Sequence, residues 1–554
     1  MDQNHPVSPL PAQPPYVPAS PPPAWQPAQP KPRIRIPSDR WDAAFAVIFI
    51  ALSVLAVNFS LYGGFAVGYA VSFLALLMCE GIYLRRRMRR TTAYGVFCTV
   101  AAATAAGLFV WHNDGVIHFF AFCGMILLAM LALLEGTDTA TRDGGTTAAL
   151  LDVGHLLLVR PFAHMCTAIS SIFLVKQGES IGKRRCGGAL LGMLCALPVL
   201  LAVVPLLISA DAAFEGLLRH TVLDRSGEVF VSLLLGIPLF CLIYSRLFGL
   251  RHELPDKAKA PTSPAKGVGA IGINTFLITI GSVYVLYLLS QLAYFFSAFS
   301  GILPEEYTVA QYARRGFFEM AAICTINLGL VGICLRLSRK QAGKAPLSSR
   351  LVTLFILLFS IGLVATALSK MVLYIRSFGM TRLRILTAVF MVMLSAVLVF
   401  VILRLFITRF PYMKATVIAV ALVGLTVGYA DVDTVIAQYN ITAYESGALE
   451  RLDLDTLSDL SDGATPYLVE LWDERTPQNE KRLAAILYQR LEAFGDVTFK
   501  ENKHVYEITD TMDFRHYNVD LFRAHRLLEE RAQAICDVHF DDFGYSESYD
   551  DYAW

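Results

Sequence analysis

Two stretches hold most of the side chains that could do chemistry. In EEYTVAQYARRGFFEMAAICTINLGL, residues 305–330, Arg314 and Arg315 precede Glu319 and Asn327. In SKMVLYIRSFGMTRLRI, residues 369–385, Lys370, Arg376, Arg382 and Arg384 follow one another closely. Planar guanidinium forks match the oxygens of a phosphate. A carboxylate beside them, Glu319 or the Asp211 of PLLISADAAFEGLL, could then act as a general base in a transfer on a phosphate-bearing lipid precursor. Plainer chemistry fits the same residues. Glu319 stands four residues after Arg315 and can pair with it along a helix, Asp211 can cap the helix that follows, and arginines can snorkel to headgroups. Two Tyr-Asn pairs, Tyr439 with Asn440 and Tyr517 with Asn518, suit a structural role, because an asparagine oxygen commonly caps a helix start.

The familiar catalytic signatures are missing. There is no HExxH, no GxSxG, no Walker-type phosphate loop and no glycine-rich dinucleotide fingerprint. His118, His155 and His164 stand singly in apolar runs, as hydrogen-bonded interior histidines do. Ten cysteines show no CxxC spacing, and nine of them lie in or near the apolar part. Neither a metal, a cofactor nor a nucleic acid is called for by this pattern.

The elements that must position these residues follow from composition. Hydrophobic residues make up 55% of the 554-residue chain and charged residues only 17%, far from a soluble average. Apolar stretches of about 20 residues, each able to cross about 30 Å of hydrocarbon, recur through 41–430. They lack the alternation of a barrel, so the expected fold is all-α: a polytopic transmembrane bundle of about eleven spans. The candidate spans are 43–59, 61–83, 93–111, 115–134, 187–210, 228–249, 270–298, 317–337, 351–369, 385–407 and 414–430. Residues 1–40 hold 13 of the 25 prolines and read as a disordered tail, either a plain solvated extension or a ligand for a proline-binding domain. Residues 431–536 read as a small helical extramembrane domain, and 537–554 as an acidic mobile tail. Within that domain Leu483, Ile486, Leu487 and Leu491 form one apolar stripe on a charged helix, and VDLFRAHRLLEERAQAI forms a second helix.

Charge sets the expected sidedness. Residues 431–554 contain 11 Lys/Arg against 27 Asp/Glu, leaving the rest of the chain strongly basic although the whole carries +1. Clusters at 85–90, 183–185, 251–266, 336–340 and 408–414 follow alternate spans and would lie in the cytoplasm. Residues 148–175 carry Asp152, His155, Arg160, Pro161 and His164 near their middle, and are read as an interfacial or re-entrant hairpin. The amino terminus is then cytoplasmic, the terminal domain extracytoplasmic, and Asp211 and the arginines of the two stretches share the outer face with that domain.

Several of these stretches together resemble a known group. YARRGFFEM with its following IN, LLISADAAF, SKMVLYIRSFGMTRLR and QYNITAY are similar to a family of bacterial polytopic membrane proteins, the domain of unknown function 4173 group, related to 4153. The resemblance runs from about residue 185 to 535 and includes FRHYNVDLFRAHRLL, with Phe514 where the family's WRxxN element has Trp. It implies an architecture and a bacterial source, and no reaction.

The expectation is a multi-pass bacterial cytoplasmic-membrane protein with a non-catalytic envelope role as sensor, scaffold or assembly factor. Its partners would be the lipid bilayer, an anionic lipid or envelope polymer, and its own acidic domain docked on the outer basic face. Two rivals stay open. A transporter or flippase for an anionic lipid or small solute would line its path with Asn327, Glu319, Asn274 and Gln291, with Gly272, Gly281, Gly329 and Gly332 allowing close packing or bending. An intramembrane transferase would need Asp211 or Glu319 within reach of the arginines.

Overall fold

The computed structural model describes residues 39–540 apart from 89–91, 140–147, 173–202, 204–206, 208–209, 211–224, 253–268, 301–316, 338–345, 408, 478, 501–502 and 509–513. The proline-rich tail up to residue 38, the span expected at 187–210 except for three isolated positions, and residues 541–554 therefore lie outside the described residues, as do Asp211, Arg314 and Arg315.

The fold is all-α and its long helices are of membrane-spanning character. In chain order they are α1 (Arg40–Tyr62), α2 (Val67–Leu84), α3 (Ala93–Trp111), α4 (Gly115–Gly136), α5 (Ala148–Gly154) running through a π turn at His155–Val159 into α6 (Arg160–Ile172), α7 (Arg225–Arg251), α8 (Ala270–Ser300), α9 (Phe317–Leu337), α10 (Leu347–Phe378), α11 (Arg382–Phe406) and α12 (Tyr412–Tyr429). Among the described residues, ten helices are long and apolar enough to cross a membrane. Compared with the eleven spans expected, helices occupy every described position, but α9 offers only a shorter apolar stretch, Glu319–Cys334, while 149–169 qualifies by length and composition. Large apolar side chains such as Phe119, Phe120, Ile271, Leu286 and Leu289 point outward, as they do in a bundle surrounded by hydrocarbon.

One expectation is corrected outright. Residues 148–172 do not reverse as a hairpin: Gly154 and Arg160, flanking the π turn, both keep right-handed helical angles, so α5 and α6 form one continuous rod. A single extra residue in a π turn absorbs local misfit without breaking the helix. Pro161 sits just past that turn, where a missing N–H is tolerated most easily. His164, two thirds along the rod, stands so close to Gly249 that a Cβ there would lie 2.6 Å from its ring. Gly249 is two residues from the end of α7, so the rod at His164 lies level with a helix end.

Contacts between helix ends sort the loops onto two faces. At one face Arg251 of α7 donates to the Tyr83 carbonyl at 3.2 Å and pairs with Asp42 near the start of α1 at 3.5 Å. Lys414, at the start of α12, meets Glu135, at the end of α4, at 2.7 Å. Arg350 of α10 reaches the Leu405 carbonyl of α11, and Asn274 of α8 bonds Ser348. The 62–67, 111–115, 378–382 and 429–432 junctions consequently share the other face.

Inside the bundle, polar side chains answer one another. Glu80 of α2 pairs with Arg246 of α7, both nearly enclosed. Asn327 of α9 accepts from Tyr284 of α8 at 2.6 Å and donates to Ser360 of α10 at 2.9 Å. Such interhelical bonds hold register where hydrophobicity cannot, since lipid tails are as apolar as the side chains. Small residues do the rest: Cys98, Ala101, Ala102, Ala105 and Ala106 of α3 are all buried and allow close helix approach.

The terminal segment forms a module at the second face: α13 (Val432–Glu445), α14 (Leu454–Ser458), α15 (Thr465–Asp473), α16 (Glu480–Leu491), β1 (Gly495–Lys500), β2 (Lys503–Ile508), α17 (Val519–Glu529) and α18 (Ala532–Phe540). The stripe Leu483, Ile486, Leu487, Leu491 of α16 is buried as its spacing predicts, in a core shared with Ile436, Leu468, Trp472, Leu528 and Ile535. Three details differ from expectation. An antiparallel hairpin pairs Val497 with Tyr506 and Thr498 with Val505. The second predicted helix is broken into α17 and α18, and α18 continues to Phe540, so the tail cannot start at 537.

Gly236 of α7 packs on Val54 of α1, where a Cβ would stand 2.8 Å from backbone, whereas one at Gly329 meets no described atom within 4 Å. Overpacking costs about 1–3 kcal/mol. Gly236→Leu is expected to lower the thermal midpoint of the detergent-solubilised protein by several degrees, and Gly329→Leu to leave it nearly unchanged; circular dichroism melts of the two variants check this.

Candidate functional site

The densest polar assembly lies where the module meets the helix ends. Arg382 opens α11, just after the turn at Gly379–Thr381. That turn needs a glycine because Gly379 has φ +77° and a Cβ there would stand 2.7 Å from Asn440 Oδ1. Asn440, on α13, clamps the turn from the other side. Its Oδ1 accepts from the Met380 N–H at 2.7 Å, and its Nδ2 donates to the Met380 carbonyl at 2.9 Å.

Held there, the Arg382 guanidinium forks onto Asp433 of α13. Nε lies 2.6 Å from Oδ1, one NH2 group meets Oδ2, and the same group reaches Asp114 Oδ2 at 3.1 Å. Asp114 also caps α4, accepting from Val116 N at 2.6 Å and Ile117 N at 3.1 Å. Asp433 further accepts from the Ser461 N–H at 2.7 Å. Burial by itself would raise the Asp433 pKa, but the Arg382 fork and the Ser461 bonds outweigh it and hold the carboxyl below the ordinary carboxylate range. Arg490 of α16, almost fully enclosed, donates to the Leu460 and Ser461 carbonyls at 2.7 and 3.0 Å and faces Asp462 at 3.6 Å. Its burial lowers its pKa, opposed by Asp462 and Asp433.

Further contacts extend the junction across the face. Asn113 donates to Asp462 at 2.6 Å, His112 Nδ1 lies 2.7 Å from Asp520, and Arg515 pairs with Glu228 of α7 at 3.2 Å. Val67 N–H at the start of α2 donates to the Tyr517 carbonyl at 3.2 Å. Met380, Ile385 and Val427 join the module's apolar core, so bundle and module share packing as well as charge.

Of the residues singled out by sequence, the structure brings only some together. Arg382 sits in this junction. Arg384 turns away and donates to the Phe378 and Gly379 carbonyls beneath the Tyr374 ring, its guanidinium carbon 4.0 Å from the ring centroid. Arg376 and Glu319 are exposed. Asn327 belongs to the interior clasp and not to the face. Asn518 caps α17 through the Leu521 N–H at 2.7 Å, and Asn440 clamps a turn where a cap was expected. Tyr439 is half-buried, and Tyr517 is exposed and packs on Phe522.

The residues that sequence reasoning passed over are His112, Asn113, Asp114, Asp431, Asp433 and Asp520. HND at 112–114, between two apolar spans, was a local signal, since three polar residues at a helix–helix turn must find partners. At the opposite face Asp42, fully buried, accepts from Tyr83 at 2.8 Å, from His252 at 3.1 Å and from the Asp39 N–H at 2.8 Å.

Fold and junction together define a multi-pass helical bundle of membrane-spanning type, with a small module fastened over its helix ends. The model of a family, Domain of unknown function (DUF4153), matches residues 98–471, from within α3 to within α15, and takes in most of the junction. The chain belongs to that family. The match begins before the stretch of about 185–535 on which the likeness to the related 4173 group was based and ends within it, leaving out the FRHYN segment; it supports the 4153 family and does not confirm the 4173 one. No curated protein matches the chain. No solved structure matches it either.

Breaking a buried charge pair costs about 3–5 kcal/mol, less where, as here, one partner is partly exposed. Arg382→Gln and Asp433→Asn are each expected to destabilise the module's attachment by about 1–3 kcal/mol. The double variant should lose little more than either single, because both remove the same fork. A double-mutant cycle on protease-cleavage rates of 431–540 measures the coupling; additive losses would show that the pair acts separately.

Proposed function

We propose that this protein is a non-catalytic scaffold of the bacterial cytoplasmic membrane, holding its acidic terminal module docked at the extracytoplasmic face. The observation that carries this is the saturation of the junction. The one sequence-chosen arginine that lies within it, Arg382, is taken up by Asp433 and Asp114. A guanidinium so engaged is a fastener and is poorly placed to receive a phosphate. Arg384 is likewise spent on backbone carbonyls, which leaves exposed Arg376 as the described side chain open to an anionic headgroup.

Orientation follows from charge. Arg85, Arg86, Arg251, Arg350, Arg404, Arg409 and Lys414 lie at the helix ends opposite the module, and an excess of basic residues marks the cytoplasmic side. The acidic module, facing away, is then extracytoplasmic, and the start of α1 is cytoplasmic. With His164 level with a helix end, the rod at 148–172 suits an interfacial position, its polar residues near headgroups. The particular likeness to the 4173 group agrees with a bacterial envelope setting but carries no reaction. The transporter reading draws less support, since Asn327, Tyr284 and Ser360 bond one another. Of the transferase's carboxylates, described Glu319 lies exposed on α9, while the ion pairs of Arg382 go to Asp433 and Asp114.

Single cysteines in a cysteine-free background test the arrangement. Impermeant maleimide added to intact cells is expected to label Phe378→Cys and Glu450→Cys and to spare Arg86→Cys and Arg409→Cys. The reverse pattern would put the module in the cytoplasm and end this reading. In the same cells Arg382→Glu should speed protease cleavage within 431–540 at least about tenfold, the equivalent of about 1.4 kcal/mol of lost docking.

A further inference from the structure

We propose that His112, Asp431 and Asp520 form a binding site for a divalent cation of the zinc class that clamps the terminal module to the bundle. It builds on the docked arrangement above and adds a ligand to the same junction.

Three separate elements supply the donors. His112 comes from the turn between α3 and α4, Asp431 from the turn between α12 and α13, and Asp520 from the first turn of α17. One ligand atom from each lies within 4.8 Å of the other two. A first-row ion with bonds of about 2.0–2.2 Å holds its donors about 3–4 Å apart, so small side-chain rotations close the set.

Acidic neighbours alone would not make a site, but the histidine adds an independent sign. His112 is 1% exposed, and while Nδ1 faces Asp520, its Nε2 is enclosed with no hydrogen-bond partner among the described residues. A buried ring nitrogen left unpaired costs about 1–3 kcal/mol. A cation held at the ring nitrogen that faces Asp520 and shared with both carboxylates would offset their charge within an otherwise enclosed junction.

The neighbouring cations do not already perform this task. Arg382 is committed to Asp433 and Asp114, and Arg490 to Asp462 and backbone carbonyls; among the described residues neither Asp431 nor Asp520 has a lysine or arginine partner. Asp431 is also placed with unusual care. Its backbone is left-handed at φ +49°, its carboxylate accepts from Thr434 N, and it lies against Gly463, where a Cβ would stand 3.0 Å from its Cγ. A side chain at 463 would push the carboxylate out of the cluster.

The donor set selects the ion. One imidazole and two carboxylates suit zinc, manganese or cobalt, while calcium and magnesium favour all-oxygen shells. Three protein ligands leave a position for water.

The test uses the full chain, purified without a histidine tag, stripped with chelator and dialysed against zinc(II). One zinc per chain is expected, bound at least about tenfold more weakly in His112→Gln, Asp431→Asn and Asp520→Asn, and unchanged in Asp455→Asn, an exposed control. Should the variants fold poorly, copper(II)-loaded wild type read by pulsed electron paramagnetic resonance decides: one coordinated imidazole supports the site, none or several overturns it. Zinc binding equal in control and site variants also overturns it. Failure is separable from that of the docked scaffold. No zinc with a protease-protected module sinks the cation alone, whereas a His112-dependent zinc with a freely cleaved module keeps the cation site and sinks the clamp.

Discussion

Among the described residues, the ion pairs between the acidic module and the apolar bundle are made at helix ends, because the sides of the long helices carry exposed apolar side chains that offer no partner for a charge. That constraint gives Arg382 its importance. Placed at the first residue of α11, it reaches simultaneously the carboxylate that caps α4 and the carboxylate in the first turn of α13. One guanidinium thus ties two bundle helices to the module, and the capping of α4 depends on the same Asp114 that the arginine holds. Both acids lie near helix N-termini, where the helix dipole favours negative charge, so the pairing and the dipoles reinforce each other. The enclosed Arg490 secures the loop at 460–462 from the far side and keeps Ser461 N–H aimed at Asp433.

The bundle beneath is pinned by a few polar contacts in an otherwise apolar interior. Glu80 with Arg246 joins α2 to α7, and Asn327 with Tyr284 and Ser360 joins three helices through one amide. A lone charge in hydrocarbon is expensive, so these residues are tolerable only as partners. The same economy explains the face opposite the module, where Asp42 collects a tyrosine, a histidine and a backbone N–H at the start of α1. Polar contacts thus gather at both faces, with the Asn327 clasp as a polar contact between them.

How much of this the sequence could reveal depended on whether the determining partner was local. Helices at ten expected positions, the stripe on α16 and the capping asparagine at 518 were legible because their causes lie within a few residues. The hairpin at 495–508 was legible in principle: Val497 and Phe499, then Val505, alternate around a polar turn, but two short strands were overshadowed by helical neighbours. Arg376, Arg382 and Arg384 were indistinguishable by type and spacing. Only the fold separates them, since Asp433 lies 51 residues beyond Arg382 and Asp520 lies 408 residues beyond His112. The reversal expected at 148–175 failed for another reason. It was inferred from parity of charge, while a continuous helix containing a π turn satisfies its backbone better than a bend would.

The expected sidedness was built on a local step that the helix does not follow. The expected orientation rested on treating 148–175 as a hairpin that does not cross, and no hairpin is there. The helix ends settle relative placement without that segment: α4 ends, through Glu135, beside the start of α12, while α12 ends beside Asp431 and the module. The start of α1 meets Arg251 and Tyr83 at the former face, and Arg515 meets Glu228 near the start of α7 at the latter. Gly136 and Arg225 therefore lie at opposite faces of the bundle. The start of α1 and the acidic module thus occupy opposite faces of the bundle, and the charge bias of the loops acts on that arrangement.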